Sequence, residues 1–200
     1  MKAFFRATVS LAMLASVAAC GSAPPVPEDH YFRLQAVFAG QPATTRLFDG
    51  AIEVDRFVAD GLTSERSIVY SDKGKSHQVK AYHYQFWIKP PTVMLRDELV
   101  SFLREANIAE AVVTPEMRID AKYVLTGKIR HLEQVRGDTN RGLMELELGL
   151  RDPHNGKLLF LKSYRADNQA GGGGVEDAVE SLNTGLSIVY ADFLADLNKR

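Results

Sequence analysis

One cysteine, one tryptophan and five histidines in 200 residues leave little material for several kinds of chemistry. A lone cysteine excludes an internal disulfide framework and any Cys-x-x-Cys motif. The histidines, at positions 30, 77, 83, 131 and 154, never take the His-Glu-x-x-His spacing that sets two imidazoles on one helical face around zinc. No Gly-x-Ser-x-Gly elbow is present to expose a nucleophilic serine. Four glycines at 171–174 precede Val175-Glu176-Asp177 instead of a Gly-Lys-Ser/Thr, so two acids stand where a phosphate would bind, and the run reads as a flexible joint. Basic and acidic residues nearly cancel, at a net charge of −1. That balance offers no basic stripe for nucleic acid and no polybasic cluster for anionic lipid. Glu53, Asp55, Glu145 and Glu147 alternate with apolar neighbours, the pattern of a solvated sheet surface and not of a catalytic pair. No catalytic, cofactor-binding or metal site is expected, no cofactor is implied, and nothing supports an enzyme.

No apolar run approaches the roughly 20 residues needed to span a bilayer. The run at residues 7–19, which follows Lys2 and Arg6, carries no charge and has the length of a signal-peptide h-region. It ends in Val17-Ala18-Ala19-Cys20, which resembles the bacterial lipobox, where the cysteine thiol is alkylated with diacylglyceride and becomes the first residue of the mature chain. On this reading residues 1–19 are a lipoprotein signal peptide, the leftover cysteine needs no partner, and Cys20 ties the protein to a membrane. A single acyl chain binds only marginally, so the three expected here make release negligible. Residues 20–29 then form the lipidated cysteine and a Pro-rich tether, with prolines at 24, 25 and 27, extending about 3 Å per residue. Gly21, where aspartate would favour inner-membrane retention, points to the outer membrane, with the body facing the periplasm. Cleavage removes two bases and no acid, shifting the net charge to −3.

Residues 30–200 read as a single α+β domain: a mixed, mostly antiparallel sheet, one strand-helix-strand unit, and a long C-terminal helix on the sheet. Strands are predicted at 31–37, 51–55, 67–71, 77–88, 109–114, 122–135, 143–151 and 157–164, with 67–71 and 77–88 forming a hairpin. In the second arm Tyr82, Tyr84 and Phe86 fall on one face and His83 and Trp87 on the other. Pro90-Pro91 ends it. A helix follows, with Thr92 as N-cap, an apolar stripe at Leu95, Leu99, Phe102, Leu103 and Ala106, and Asn107 as its end. If the flanking strands are parallel neighbours, the crossover is right-handed. The last helix carries Val175, Ala178, Val179, Leu182, Leu186, Val189, Phe193 and Leu197 on one stripe over more than six turns. Such length leaves open whether it packs wholly on its own sheet or is partly covered by another subunit.

Tyr31-Phe32-Arg33-Leu34, Ile52-Glu53-Val54, Ala59-Asp60-Gly61-Leu62, Glu65-Arg66-Ser67-Ile68-Val69-Tyr70 and Tyr82-His83-Tyr84-Gln85-Phe86-Trp87, in that order before Pro90-Pro91 and the Leu95/Leu99/Leu103 helix, resemble the ABC-type transport auxiliary lipoproteins. These accompany MCE-domain (mammalian cell entry) lipid transporters, including the paraquat-inducible type. Ile88-Lys89 departs from the small or acidic residues expected between tryptophan and proline. The resemblance implies a non-catalytic lipoprotein at the outer-membrane end of the system, expected to dock the MCE protein and support envelope integrity; the over-long last helix and the aromatic strand add the expectation of a homo-oligomer. Tyr84, Phe86, Trp87 and Leu186 are the candidate partner or subunit contacts, weighed against plain core packing. The alternatives are a lipoprotein that carries a lipid or acyl chain in an apolar cavity, and a periplasmic enzyme whose site is assembled from dispersed residues.

Overall fold

The computed structural model describes residues 25–75 and 77–199. Nine strands and two helices follow in the order β1 (His30–Phe32), β2 (Ala51–Val54), β3 (Val58–Ala59), β4 (Ser67–Asp72), β5 (Val79–Trp87), α1 (Pro91–Glu105), β6 (Ala111–Val113), β7 (Tyr123–Arg136), β8 (Arg141–Arg151), β9 (Leu158–Gln169) and α2 (Val175–Leu197). All strands join one open α+β sheet organised by β7. One edge of β7 pairs antiparallel with β8 along its length, and β8 pairs with β9. The other edge takes three short parallel strands in succession, at Ile52↔Tyr123, Val58↔Lys128 and Tyr70↔Gln134. From these, β6 extends beyond β2, and β5 and then β1 extend beyond β4. The strands flanking α1, β5 and β6, lie at opposite ends of this arrangement. The strand-helix-strand unit therefore spans the sheet, and the neighbour condition for a right-handed crossover is not met.

Both helices cover one face. Leu125, Gly127 and Ile129 of β7 point toward them, opposite Leu150, Leu148 and Leu146 of β8. A bulge between Ile129 and His131 then changes the parity, so that Leu132 and Gln134 continue the same face. Gly127 is needed there because a Cβ would lie 2.5 Å from three ring carbons of Phe57, which is itself buried.

In α1 the expected stripe, Leu95, Leu99, Phe102, Leu103 and Ala106, is buried. Its cap differs from expectation: Pro90 is the N-cap and Pro91 the first helical residue, where a fixed φ is preset and the missing N–H costs nothing. Thr92 instead ties down the loop between β2 and β3, its hydroxyl accepting from Arg56 Nε and its carbonyl from the Phe57 N–H. Asn107 ends the helix in the left-handed region, at φ 54°.

α2 is capped by Gly174, whose N–H donates to Asp177 Oδ2 at 2.9 Å, with Glu176 and Asp177 set against the positive end of the helix dipole. The glycine run thus leads into an ordered cap. Ala178, Val179, Leu182, Leu186, Val189, Phe193 and Leu197 are all buried within the protomer, so the length of α2 is used on its own sheet. The two helices meet where the Tyr190 hydroxyl donates to the Leu95 carbonyl at 2.6 Å, and Tyr190 and Phe102 pack edge to face.

The C-terminal turn of α2 is pinned to β9 by Asp196, which accepts from Lys162 Nζ at 2.6 Å and from the Tyr164 hydroxyl at 3.0 Å, with Lys199 adding a third bond. These donors, Lys162 foremost, hold its carboxyl at about 2, below the usual 3.8. A depressed folded-state value contributes stability that is fully present above about 3.8 and is lost as the pH falls toward 2. Asp196→Asn should flatten the acid limb of melting temperature against pH between 4 and 2; an unchanged limb would refute this role.

Candidate functional site

The first half of the chain reaches the sheet through a strap that sequence patterning reads as a strand. Only His30–Phe32 pairs with β5. Beyond it the chain crosses the two helices, and its N–H groups are taken by side chains: Gln35 donates to Asn183 Oδ1, Ala36 to Glu98 Oε2 and Val37 to Ser187 Oγ, each at 2.9 Å. Helical side chains thus do what a neighbouring strand would have done, and Phe38 packs edge to face on Phe102. Val37, Phe38, Phe102, Ile188, Ala191 and Leu194 border a shallow apolar groove of about 430 Å³.

The aromatic strand β5 does not keep its simple alternation. Ser67 pairs with Phe86 but Val69 pairs with Ala81, so β5 carries extra residues in a bulge that exchanges the faces on either side of it. Tyr82 therefore turns to the helix side, its hydroxyl 2.6 Å from Gln134 Oε1 and its ring against Tyr70. Phe86 turns to the opposite, helix-free side and stacks on Tyr31 with ring centroids 5.8 Å apart. Tyr82 and Phe86 are thus on different faces, contrary to the alternating pattern. Trp87 points inward and is 1% exposed.

Of the four candidate contacts, Trp87 and Leu186 (0% exposed) are core residues that no partner can touch in the folded protomer. Phe86 is half-buried and Tyr84 is 41% exposed, so both keep a surface. Cys20 and Gly21 lie outside the described residues.

Around Phe86 the surface is built by Arg66, whose Nε donates to the Trp87 carbonyl at 3.1 Å while its guanidinium carbon lies 5.5 Å from the centre of the Tyr31 ring. With Leu62, Glu65 and Ala81 these residues border a groove of about 380 Å³ beside the edge strand β1. Arg66 is the feature that the sequence reading missed: it stands there only as one residue of the Glu65–Tyr70 string, and no spacing marks it as a contact.

Several titratable groups hold the sheet together. Glu145 and Glu147 form the cross-strand pairs expected of a solvated sheet, with Arg165 at 3.0 Å and Arg130 at 2.9 Å. Glu116 is held at about 2 by bonds from Thr114 and Arg96. A carboxyl so depressed is charged at neutral pH and cannot serve there as a general acid. Burial, with Asp55 adding to it, moves the Glu53 carboxyl upward. Among the described residues no group of three or more His, Cys, Asp or Glu side chains is placed to hold a metal, and no helix is long and apolar enough to cross a membrane. The site is a surface of aromatic, apolar and cationic groups, suited to binding.

Among solved structures, a Xanthomonas campestris protein of the DUF330 family superposes with a TM-score of 0.70 at 14% identity, covering 82% of this chain and 92% of its own. A second, described only as an uncharacterized protein, gives 0.66 at 14% identity over 86% and 99%. A hypothetical protein of Chlamydia trachomatis gives 0.50 at 8% identity over 75% and 96%. At these identities the likeness is one of fold. No curated protein matches the chain. The model of the ABC-type transport auxiliary lipoprotein component family matches residues 32–192, from β1 into α2 and well past the helix α1 where the sequence likeness was read, and the chain belongs to that family.

Proposed function

We propose that the protein is a non-catalytic, outer-membrane-anchored component of an MCE/ABC-type lipid transport system. In this role it docks the MCE protein at the outer-membrane end and supports envelope integrity. The observation that carries the proposal is the family match over residues 32–192. It agrees with a fold whose sheet acids Glu145, Glu147 and Asp167 are held in ion pairs with arginines and whose exposed aromatics gather at β1 and β5, since Tyr and Phe serve well as rigid interface anchors. The body acts as a homo-oligomer, a collar in which each subunit offers two different patches, one to each neighbour. Lipid on Cys20 holds the collar to the membrane and Gly21 directs it outward.

Two measurements test this. Cys20→Ala should abolish palmitate incorporation, and Gly21→Asp should move the protein toward inner-membrane fractions; labelling of Cys20→Ala equal to wild type would sink the anchor. Residues 28–200, purified without lipid, should associate and retain the cognate MCE protein in a pull-down. A strictly monomeric body at tens of micromolar that retains no MCE protein would overturn the docking role. The apolar groove beside Val37 and Ile188 favours a second reading, an acyl-chain carrier, for which stoichiometric lipid in the purified body would be the sign.

A further inference from the structure

Arg66 stands just before β4 and is held to Trp87 twice: its carbonyl accepts from the Trp87 N–H at 2.6 Å, and its Nε donates to the Trp87 carbonyl at 3.1 Å. Trp87 is a core residue, so this clamp fixes the arginine to the rigid part of the sheet. Its guanidinium carbon lies 5.5 Å from the centre of the Tyr31 ring, which in turn stacks on Phe86. The two terminal nitrogens of Arg66 have no hydrogen-bond or ion-pair partner among the described residues. By contrast Arg130, Arg136, Arg141 and Arg165 each meet a carboxylate at 3.0 Å or less.

The surface around these nitrogens is open. Arg66 itself is exposed, Tyr31 is 55% and Leu62 43% exposed, and half-buried Ala81 and Phe86 line the groove of about 380 Å³ that they share. Beside it runs the edge strand β1. Phe32 gives its carbonyl to the Ile88 N–H, and in a parallel ladder alternate residues face the partner, so the N–H and C=O of Tyr31 turn away from β5 and are unpaired among the described residues. Main-chain groups able to receive an extended strand, an apolar hollow and a preset guanidinium therefore lie side by side. The planar fork of an arginine fits a carboxylate through two parallel bonds. Asp29 and Glu65 on the same rim repel a phosphate group, with its greater negative charge, more than they repel one carboxylate.

We infer that this groove docks an extended protein segment that lays an aspartate or glutamate on Arg66, an apolar side chain between Leu62, Ala81 and Phe86, and its backbone along Tyr31. Charge complementarity selects the segment, because Arg66 is the cation of this surface and is left without a carboxylate of its own. Trp87 and Tyr31 already hold the guanidinium in place, so little rotamer freedom is lost on binding. Asp29, the last residue before β1, borders the groove, which puts the docking surface where the proposed lipid tether joins the body. As to which protein brings the segment, the inference rests on the proposed function and assigns it to the MCE partner.

The test uses full-length lipoprotein in cells that hold the whole transport system, with a photo-crosslinkable phenylalanine at Leu62 in the groove or at Ile188 on the helix face. Leu62 should capture the MCE protein, through a peptide that carries an aspartate or glutamate. Arg66→Gln should lower that yield about tenfold or more, as the loss of a charge-assisted bond pair does. Arg66→Lys, which keeps the charge but not the fork, should lower it less, with the melting temperature of each variant recorded. Leu62→Asp, which leaves both Arg66–Trp87 bonds in place and sets a competing acid in the groove, should reduce co-purification of the MCE protein in the same way. Capture from Ile188 but not Leu62 overturns the surface and leaves the proposed function standing. Capture of a second copy from Leu62 overturns the assigned partner, and capture of phospholipid overturns the protein segment as occupant. Undiminished capture in Arg66→Gln overturns the role of the arginine. Capture from neither position overturns the surface, and failure of the pull-down as well overturns both readings.

Discussion

Leu186→Glu will melt roughly 10–20 °C below the wild-type body, or fail to fold cooperatively. Leu186 is fully buried halfway along α2, so the substitution removes an apolar side chain and places a carboxylate among apolar groups with no counter-ion provided. A buried unpaired charge belongs to the small class of changes that cost more than about 4 kcal/mol, against a total stability of about 5–15 kcal/mol. The new glutamate escapes part of this cost by binding a proton, which raises its folded-state pKa above the unfolded value of about 4.3. The penalty should therefore be smallest below about pH 4 and grow as the pH rises toward that raised value. Leu186→Gln separates the two contributions, since it loses the same packing without the charge. A Leu186→Glu body that melts within 3 °C of wild type at pH 7 would show that α2 lifts from its sheet.

The same residue shows where sequence reading succeeds and where it stops. The stripe from Val175 to Leu197 was legible because a period of 3.6 over more than six turns has no other explanation, and the structure places the helix at Val175–Leu197. Periodicity tells which side is apolar, however, and not what covers it. Whether a neighbouring subunit or the chain's own β8 and β9 met the stripe depended on strand pairings far apart in sequence. β7 and β8 were likewise legible as alternating runs. What could not be seen was that β7 serves three short strands along its other edge, because each of β2, β3 and β4 adds only two or three parallel pairs to it.

The candidate surface was legible in composition and misread in geometry. Crowding of aromatics between 82 and 87 marked β5 correctly. Strict alternation then assigned Tyr82 and Phe86 to one face, and the bulge between the Ser67 and Val69 pairings undid that. Bulges are set by the partner strand and by what each face must bury, so one strand's sequence does not announce them. Here the bulge lets two large rings, Tyr82 and Trp87, turn inward while Phe86 meets Tyr31 outside.

Trp87→Ala should behave as a core deletion, costing about 3–5 kcal/mol. For a body of this size that corresponds to a fall of roughly 6–20 °C in melting temperature. The indole is among the largest fully buried side chains and belongs to the main core with Ile68, while Phe32, its register partner on β1, packs against that core. Backbone bonds at this position survive the substitution, because the Trp87 N–H donates to the Arg66 carbonyl and its own carbonyl accepts from Arg66 Nε. The loss is therefore one of packing, and Trp87→Phe, which refills most of the volume, should recover more than half of it. Tyr84→Ala supplies the contrast: with 41% of the residue exposed, it should change melting by no more than a few degrees. Pull-down of the MCE protein by the folded fraction should be unaffected in Trp87→Ala. Wild-type melting in Trp87→Ala together with lost pull-down would reverse the assignment, and would mean that the strand end opens to place the indole in the interface.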